Sequence, residues 1–199
     1  MKVLVTGSHG YIGNALMWAL TRTNHEVKGS DNFFRERWVQ EVGGCTLTRF
    51  DMCDKHETYN VDLTNYDAVK MILQTFKPQV IIHLASQPSG PYSDLEKPMV
   101  DPVGHAHRVF TQTNNMVMLH NLLDAAREID KTQDGSYRPK FVVTTTTGVP
   151  GAPDQPIPED HTPNMAGSSY HVSRGFDSAN LYLNAKVHRS RILELRTRS

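Results

Sequence analysis

Three groups of residues have the types and spacing to do chemistry. Gly7, Gly10 and Gly13 stand three apart, between a short apolar run (Val3, Leu4, Val5) and a helical pattern from Asn14 to Leu20. Strand, glycine turn and helix in that order can bring backbone against a phosphate. Gly7 permits the tight turn, Gly10 leaves no Cβ in the way, and Gly13 lets the helix sit close on the strand. The start of the helix, at Tyr11 and Ile12, then offers free N–H groups and a positive dipole end to the anion. The spacing is Gly-x-x-Gly-x-x-Gly and not the Gly-x-Gly-x-x-Gly of the standard dinucleotide fingerprint, so a ligand-free glycine turn stays open as a reading.

The second group is acidic. Asp31 ends a predicted strand, 18 residues after Gly13. Near that spacing a carboxylate accepts hydrogen bonds from an adenosine ribose. It would repel a 2′-phosphate, so NAD is expected over NADP, although Arg35 and Arg37 close by keep NADP open. A plain turn aspartate is the alternative for Asp31. Asp62-Leu63 follows the third predicted strand, where it either meets the adenine or, through Asp62, caps the helix beginning near Asn65.

The third group is Thr146, Tyr170 and Arg174. Thr146 belongs to a run of four threonines ending a predicted strand, and Tyr170-His171-Val172-Ser173-Arg174 lies in the first turns of a later helix. Residues i and i+4 share a helix face. A cation beside a phenol favours the phenolate. Such a phenolate can take a proton from a sugar hydroxyl as a hydride leaves the same carbon, while a threonine hydroxyl orients that oxygen. A half-buried Tyr with a solvated Arg on an ordinary amphipathic helix is the competing reading.

These residues need an alternating scaffold. Predicted strands cover 2–6, 26–30, 57–61, 79–84, 139–145 and 190–196, and predicted helices 11–22, 34–42, 65–76, 107–130 and 168–187. That alternation implies an α/β fold, a doubly wound parallel sheet (Rossmann fold) covered on both faces, in one domain over 1–199. Proline-rich stretches at 86–106 and 148–167 follow predicted strand ends, where open α/β sheets place ligands. The formal net charge is zero, which gives no electrostatic case for nucleic acid or a membrane surface. No signal peptide or transmembrane run is evident, and two cysteines make no disulfide framework, so the cytoplasm is expected. Cys45, Cys53 and His56 with Asp51 and Asp54 lack paired Cys-x-x-Cys spacing, and no metal site is expected there. Met116, Met118, Leu119, Leu122 and Leu123 fill the core, a subunit interface, or both.

Taken in order, Thr6-Gly7-x-x-Gly10-Tyr11-Ile12-Gly13, Asp31-Asn32, Asp62-Leu63, His83-Leu84-Ala85-Ser86, Asn115, Thr146 and Tyr170 resemble the extended short-chain dehydrogenase/reductase family, the nucleotide-sugar epimerases and dehydratases. The resemblance covers residues 1 to about 196. It implies NAD as cofactor and a UDP-sugar as substrate, turned over through a 4-keto intermediate. It implies cofactor contacts at Asn32, Arg35, Leu84, Ala85, Ser86, Asn115, Tyr170 and Arg174 besides the glycines, Asp31, Asp62 and Leu63. It also implies a homodimer built on the helix over 107–130, and a C-terminal substrate-binding part that is largely missing here. Three segments, 87–93, 109–115 and 169–174, are similar to the UDP-sulfoquinovose synthase branch, which uses UDP-glucose and sulfite. That likeness implies substrate contacts at Gln87, Ser89, Thr146 and His171, with Tyr170 as base and the position of Arg174 on the nicotinamide ribose. The chain departs from the pattern where Arg174 replaces a lysine, Pro88 an arginine and Pro150 a tyrosine.

Overall fold

The computed structural model describes residues 1–34, 37, 57–87, 107–132, 135–146 and 169–197, with backbone alone for 107–110, 169–171 and 197. Six strands form one sheet: β1 (Lys2–Thr6), β2 (Glu26–Asp31), β3 (Thr58–Asn60), β4 (Val80–His83), β5 (Lys140–Thr146) and β6 (Arg191–Thr197). Every pairing is parallel and the order is β3-β2-β1-β4-β5-β6. Four described helices cross between them: α1 (Tyr11–Leu20), α2 (Tyr66–Phe76), α3 (His107–Thr132) and α4 (Ser169–Val187). The predicted doubly wound sheet is therefore the observed one, with strand and helix ends shifted by one or two residues. The helix expected over 34–42 falls largely outside the described residues, as do most of 86–106 and all of 148–167.

Strand alternation divides the core in two. Val3 and Val5 of β1 pack with Met17 of α1 on one face. Leu4, Ile81, Phe141 and Val143 pack on the other face with Val69, Ile72 and Leu73 of α2, Leu119, Leu122 and Ile129 of α3, and Leu181 of α4. Both faces of the central strands are covered, which is why those strands read as continuous apolar runs. The chain reverses direction across the sheet between β1 and β4, and the carboxyl ends of these two neighbours frame the crevice where such sheets bind ligands.

Local chemistry sets the helix ends. Asn65 caps α2, its side chain accepting from the Ala68 N–H at 3.1 Å. Lys77 then closes that helix in the left-handed region at φ 51°. Helix α1 ends at Leu20, two residues earlier than its sequence pattern suggested. Its last carbonyls are taken by the Thr21, Arg22 and Thr23 N–H groups in a turn. Among the described residues, no helix is long and apolar enough to cross a membrane.

Candidate active site

The glycine turn sits at the β1/β4 reversal. Gly7 has φ 69°, and a Cβ there would lie 2.6 Å from the Ala85 nitrogen and 2.7 Å from its Cα. Its glycine character therefore serves two needs, a left-handed turn and the close approach of the segment after β4. A Cβ on Gly13 would run into the Gly7 carbonyl. Gly10 differs, since the nearest atom to its Cβ position is the Gly7 carbonyl oxygen at 3.3 Å and the rest is open. Gly10 is also the N-cap of α1, and its side of the turn carries no capping side chain. The first-turn N–H groups of α1 are left to an external acceptor. The side chains of Tyr11 and Ile12 are exposed, so only their backbone belongs to this turn.

Asp31 closes the adjoining end. Its two oxygens accept N–H groups from His9 at 2.9 Å and Phe33 at 2.8 Å. It thus fixes the glycine turn against the end of β2 and keeps further lone pairs for a ligand. Asn32 accepts from the Phe34 N–H at 3.1 Å and reaches the Asp62 carboxylate at 3.4 Å. Asp62 also takes the Thr64 N–H and hydroxyl at 2.8 and 2.7 Å. The helix-cap alternative for Asp62 is corrected here, because Asn65 holds that position. Leu63 is a core side chain at 4 % exposure and can offer a ligand its backbone alone, whereas Leu84 is half-buried against the cluster of Val3, Val5 and Met17.

The other end of the crevice is built by side chains from distant segments. Asn115 of α3 is fully buried. Its Oδ1 accepts the Gln87 N–H at 2.7 Å, and its Nδ2 donates to the Gln87 carbonyl and to Ser173 Oγ, both at 3.1 Å. Both amide donors are used, so Asn115 is a clamp joining the segment after β4 to α4, with a single acceptor site left for a cofactor. The clamp is a part that its spacing alone did not announce.

Thr146 ends β5, buried. Its neighbour Thr145 lies on the other side of the pleat, facing α4, and donates to Glu194 Oε1 of β6 at 2.6 Å. Ser178 of α4 donates to the same oxygen at 2.6 Å. Arg174 is expected on sequence grounds to sit solvated or beside Tyr170. Its guanidinium is buried, which overturns the solvated reading, and Nη1 donates along α4 to Asp177 Oδ2 at 2.7 Å, while the Tyr170 side chain lies outside the described residues. Burial pushes the Asp177 carboxyl up to about 6, partly offset by Arg174 and reinforced by Glu194. His83 at the end of β4 is buried and shares a 2.8 Å hydrogen bond with the Thr6 hydroxyl. Burial, helped by the Arg174 cation, holds its imidazole neutral, at about 3.

Residues 3–194 match the NAD dependent epimerase/dehydratase family. The chain belongs to that family. Its relatives include a UDP-sulfoquinovose synthase of Sulfolobus acidocaldarius, 30% identical over 204 residues, covering 89% of this chain and 48% of that protein. A chloroplastic UDP-sulfoquinovose synthase of Spinacia oleracea is 25% identical, covering 98% of this chain and 42% of that one. The Thermus thermophilus UDP-glucose 4-epimerase, solved in complex with NAD, superposes at a TM-score of 0.72 with 24% identity. It covers 98% of this chain and 54% of its own, and the likeness shows a shared fold. The chain spans about half the length of the relatives it matches.

The family cofactor is NAD, and the residues present fit it. Gly10 leaves an open cradle where a Cβ would stand, beside helix N–H groups with no partner inside the helix. Asp31 stands at the end of the next strand with acceptor capacity to spare. Gly7 and Ala85 close the crevice floor, and Ser86 and Gln87 follow on the same segment. Tyr170 and His171 lie in the first turn of α4, with side chains outside the described set, as are Arg35, Ser89, Pro88 and Pro150.

Sequence reasoning gave Ser173 and Asp177 no role and did not single out Glu194. The signal for Asp177 and Ser178 was available: with Arg174 they make an i, i+3, i+4 polar stripe on the face that also carries Leu181. Nothing local pointed to Glu194.

Proposed function

We propose that this chain is the cofactor-binding half of an enzyme that converts a UDP-sugar through a 4-keto intermediate, and that its specific reaction resembles UDP-sulfoquinovose synthesis. The carrying observation is the glycine turn tied to Asp31 at the β1/β4 reversal, with Thr146 and the start of α4 at the same sheet edge. The two sulfoquinovose synthases among the relatives support the finer reading.

In this reading Thr146 orients the sugar 4-hydroxyl and Tyr170 takes its proton. Arg174 places its charge toward the nicotinamide ribose, and His171, Gln87 and Ser89 face the sugar. NAD, when bound, supplies the acceptor for the hydride leaving the same carbon. A homodimer through α3 and α4 belongs to the proposal, supported by exposed Phe176, Tyr182, Leu183 and Val187 on α4. Met118, Leu119, Leu122 and Leu123 of α3 are core residues and leave that interface to other side chains. A cytoplasmic location rests on the cysteine usage read above.

The test is turnover of UDP-glucose, with and without sulfite, by the wild type and by Tyr170→Phe. The proposal expects Tyr170→Phe to lose turnover by at least about a thousandfold, within the usual weight of a positioned proton acceptor, while NAD affinity stays near wild type. Turnover surviving in the variant would remove Tyr170 from its role. A second reading, an NAD-binding module without turnover, is favoured by one observation: Arg174 stands where the resembled family has a lysine. A wild-type chain that binds NAD and turns over no UDP-sugar would support it.

A further inference from the structure

We propose that Asp177 is a positioning residue for the nicotinamide half of the cofactor, acting by holding the Arg174 guanidinium in the buried space between α4 and the ends of β4 and β5. The inference rests on the NAD-binding reading above and deepens it. Arg174 and Asp177 are one helical turn apart, with side chains only 3% and 2% exposed, and are joined at 2.7 Å. A long cation in such a space has few places to go. Without a fixed counter-charge it would be expelled or would have to find other partners. A planar guanidinium held by one carboxylate keeps its other N–H groups in a set direction, which a mobile ammonium would not.

The surroundings of the pair are specific. From β6, Glu194 faces Asp177, but its Oε1 is engaged by Thr145, by Ser178 and, at 3.5 Å, by Arg196 Nε. Glu194 Oε1 is thus engaged in fastening β5 to α4, and among the described residues Asp177 is the carboxylate in ion-pair contact with Arg174. From β4, His83 faces Arg174 as a neutral ring. Asn115 of α3 holds Ser173, the residue before Arg174, so the helix backbone at this point is fixed as well. Asp177 thus anchors the Arg174 guanidinium on a backbone that other residues have already fixed.

The consequence is selective. The adenine half of the cofactor would be held by Asp31 and the glycine turn, on the other side of the β1/β4 reversal, and does not involve Asp177. The experiment compares NAD with ADP, each titrated by calorimetry into the wild type and Asp177→Asn. The expected result is NAD affinity weakened about tenfold, in the range of a lost charge-assisted contact, with ADP affinity unchanged within about twofold. Unchanged affinity for both ligands would overturn the proposal. An equal loss for both would also overturn it, because that is what general damage to the fold produces.

A second measurement covers a variant that does not fold. In the wild type, the ratio of NAD to ADP affinity is followed from pH 8 to 5. Asp177, whose carboxyl titrates near 6, faces Arg174 and Glu194, with His83 and Arg196 next beyond. Protonation of Asp177 releases Arg174, so the ratio should fall several-fold below pH 6, and a flat ratio would contradict the proposal. Failure of the wild type to bind either ligand would instead refute the NAD-binding reading itself, so the two failures are distinguishable.

Discussion

The two ends of the crevice are made from different materials. At the β1–α1–β2 end, nearly every contact is backbone: glycine N–H and carbonyl groups, helix N–H groups, and Asp31 accepting two main-chain donors. At the β5–α4–β6 end the contacts are between side chains: Arg174 with Asp177, Thr145 and Ser178 with Glu194, Asn115 with Ser173. A backbone cradle has to be nearly invariant in shape, because one added Cβ blocks it. A side-chain network can be adjusted residue by residue, and that is where a family could vary its chemistry over a common cofactor.

The comparison breaks most visibly at Gly13. Gly13→Ala should place a methyl group against the Gly7 carbonyl. Overpacking of that kind costs about 1–3 kcal/mol, with the turn displaced as well. NAD binding should fall below detection, and the melting temperature should drop. A variant that binds NAD like the wild type would show that the helix does not need to sit so close to the turn.

Next is Asp31→Ala, which removes a carboxylate that accepts two N–H groups. The loss should be about 2–3 kcal/mol, from charge-assisted bonds. The measured affinity for NAD should fall tenfold or more while the preference for NAD over NADP shrinks. Retained preference would assign the discrimination elsewhere.

The side-chain end offers a pH experiment of similar size. Unfolded His83 takes a proton below its ordinary 6.5, whereas folded His83 stays neutral down to about 3. Its stabilising contribution is therefore complete above pH 6.5 and is lost as the pH falls toward 3. Near pH 5 the loss is about 2 kcal/mol. Asp177 works in the opposite sense. Its carboxyl is raised from 3.8 to about 6, so its ionisation costs stability as pH rises through that window. Denaturant melts of the wild type and His83→Asn at pH 7 and 5 should show the gap between them narrowing at the lower pH by roughly that 2 kcal/mol. A gap independent of pH would mean that His83 is not held neutral by burial.

The smallest effect is the control. Asn65→Ala removes the cap of α2 and should cost about 1 kcal/mol in stability. NAD affinity should not change, since the Asn65 side chain takes the Ala68 N–H and the variant keeps the backbone bond from Asn65 to the Asp62 carbonyl. A change in affinity would blur the separation between scaffold and site.

The same difference in material explains what could be read from the sequence. The sheet was legible because buried parallel strands are short apolar runs and their alternation with helices implies parallel pairing. The glycine turn and Asp31 were legible because a backbone cradle is written in local spacing. Asn115 was found, but its protein partners were not, because Gln87 and Ser173 lie 28 and 58 residues away. Glu194 carries no local mark, and only the pairing of β6 with β5 brings it 49 residues across to Thr145. For Arg174 the solvated alternative stayed open beside the catalytic one because nothing in Tyr-x-x-x-Arg reveals how deeply a helix is buried. Asp177 three residues later was the available clue.

The central claim is that this half-length chain folds into a working NAD cradle. The most direct measurement is on the purified 199-residue chain. It would be denatured, assayed by mass spectrometry for released NAD, and titrated with NAD if none is found. Co-purified NAD, or saturable one-to-one binding, is the predicted result. A chain that is folded by circular dichroism yet neither carries nor takes up NAD would contradict the account.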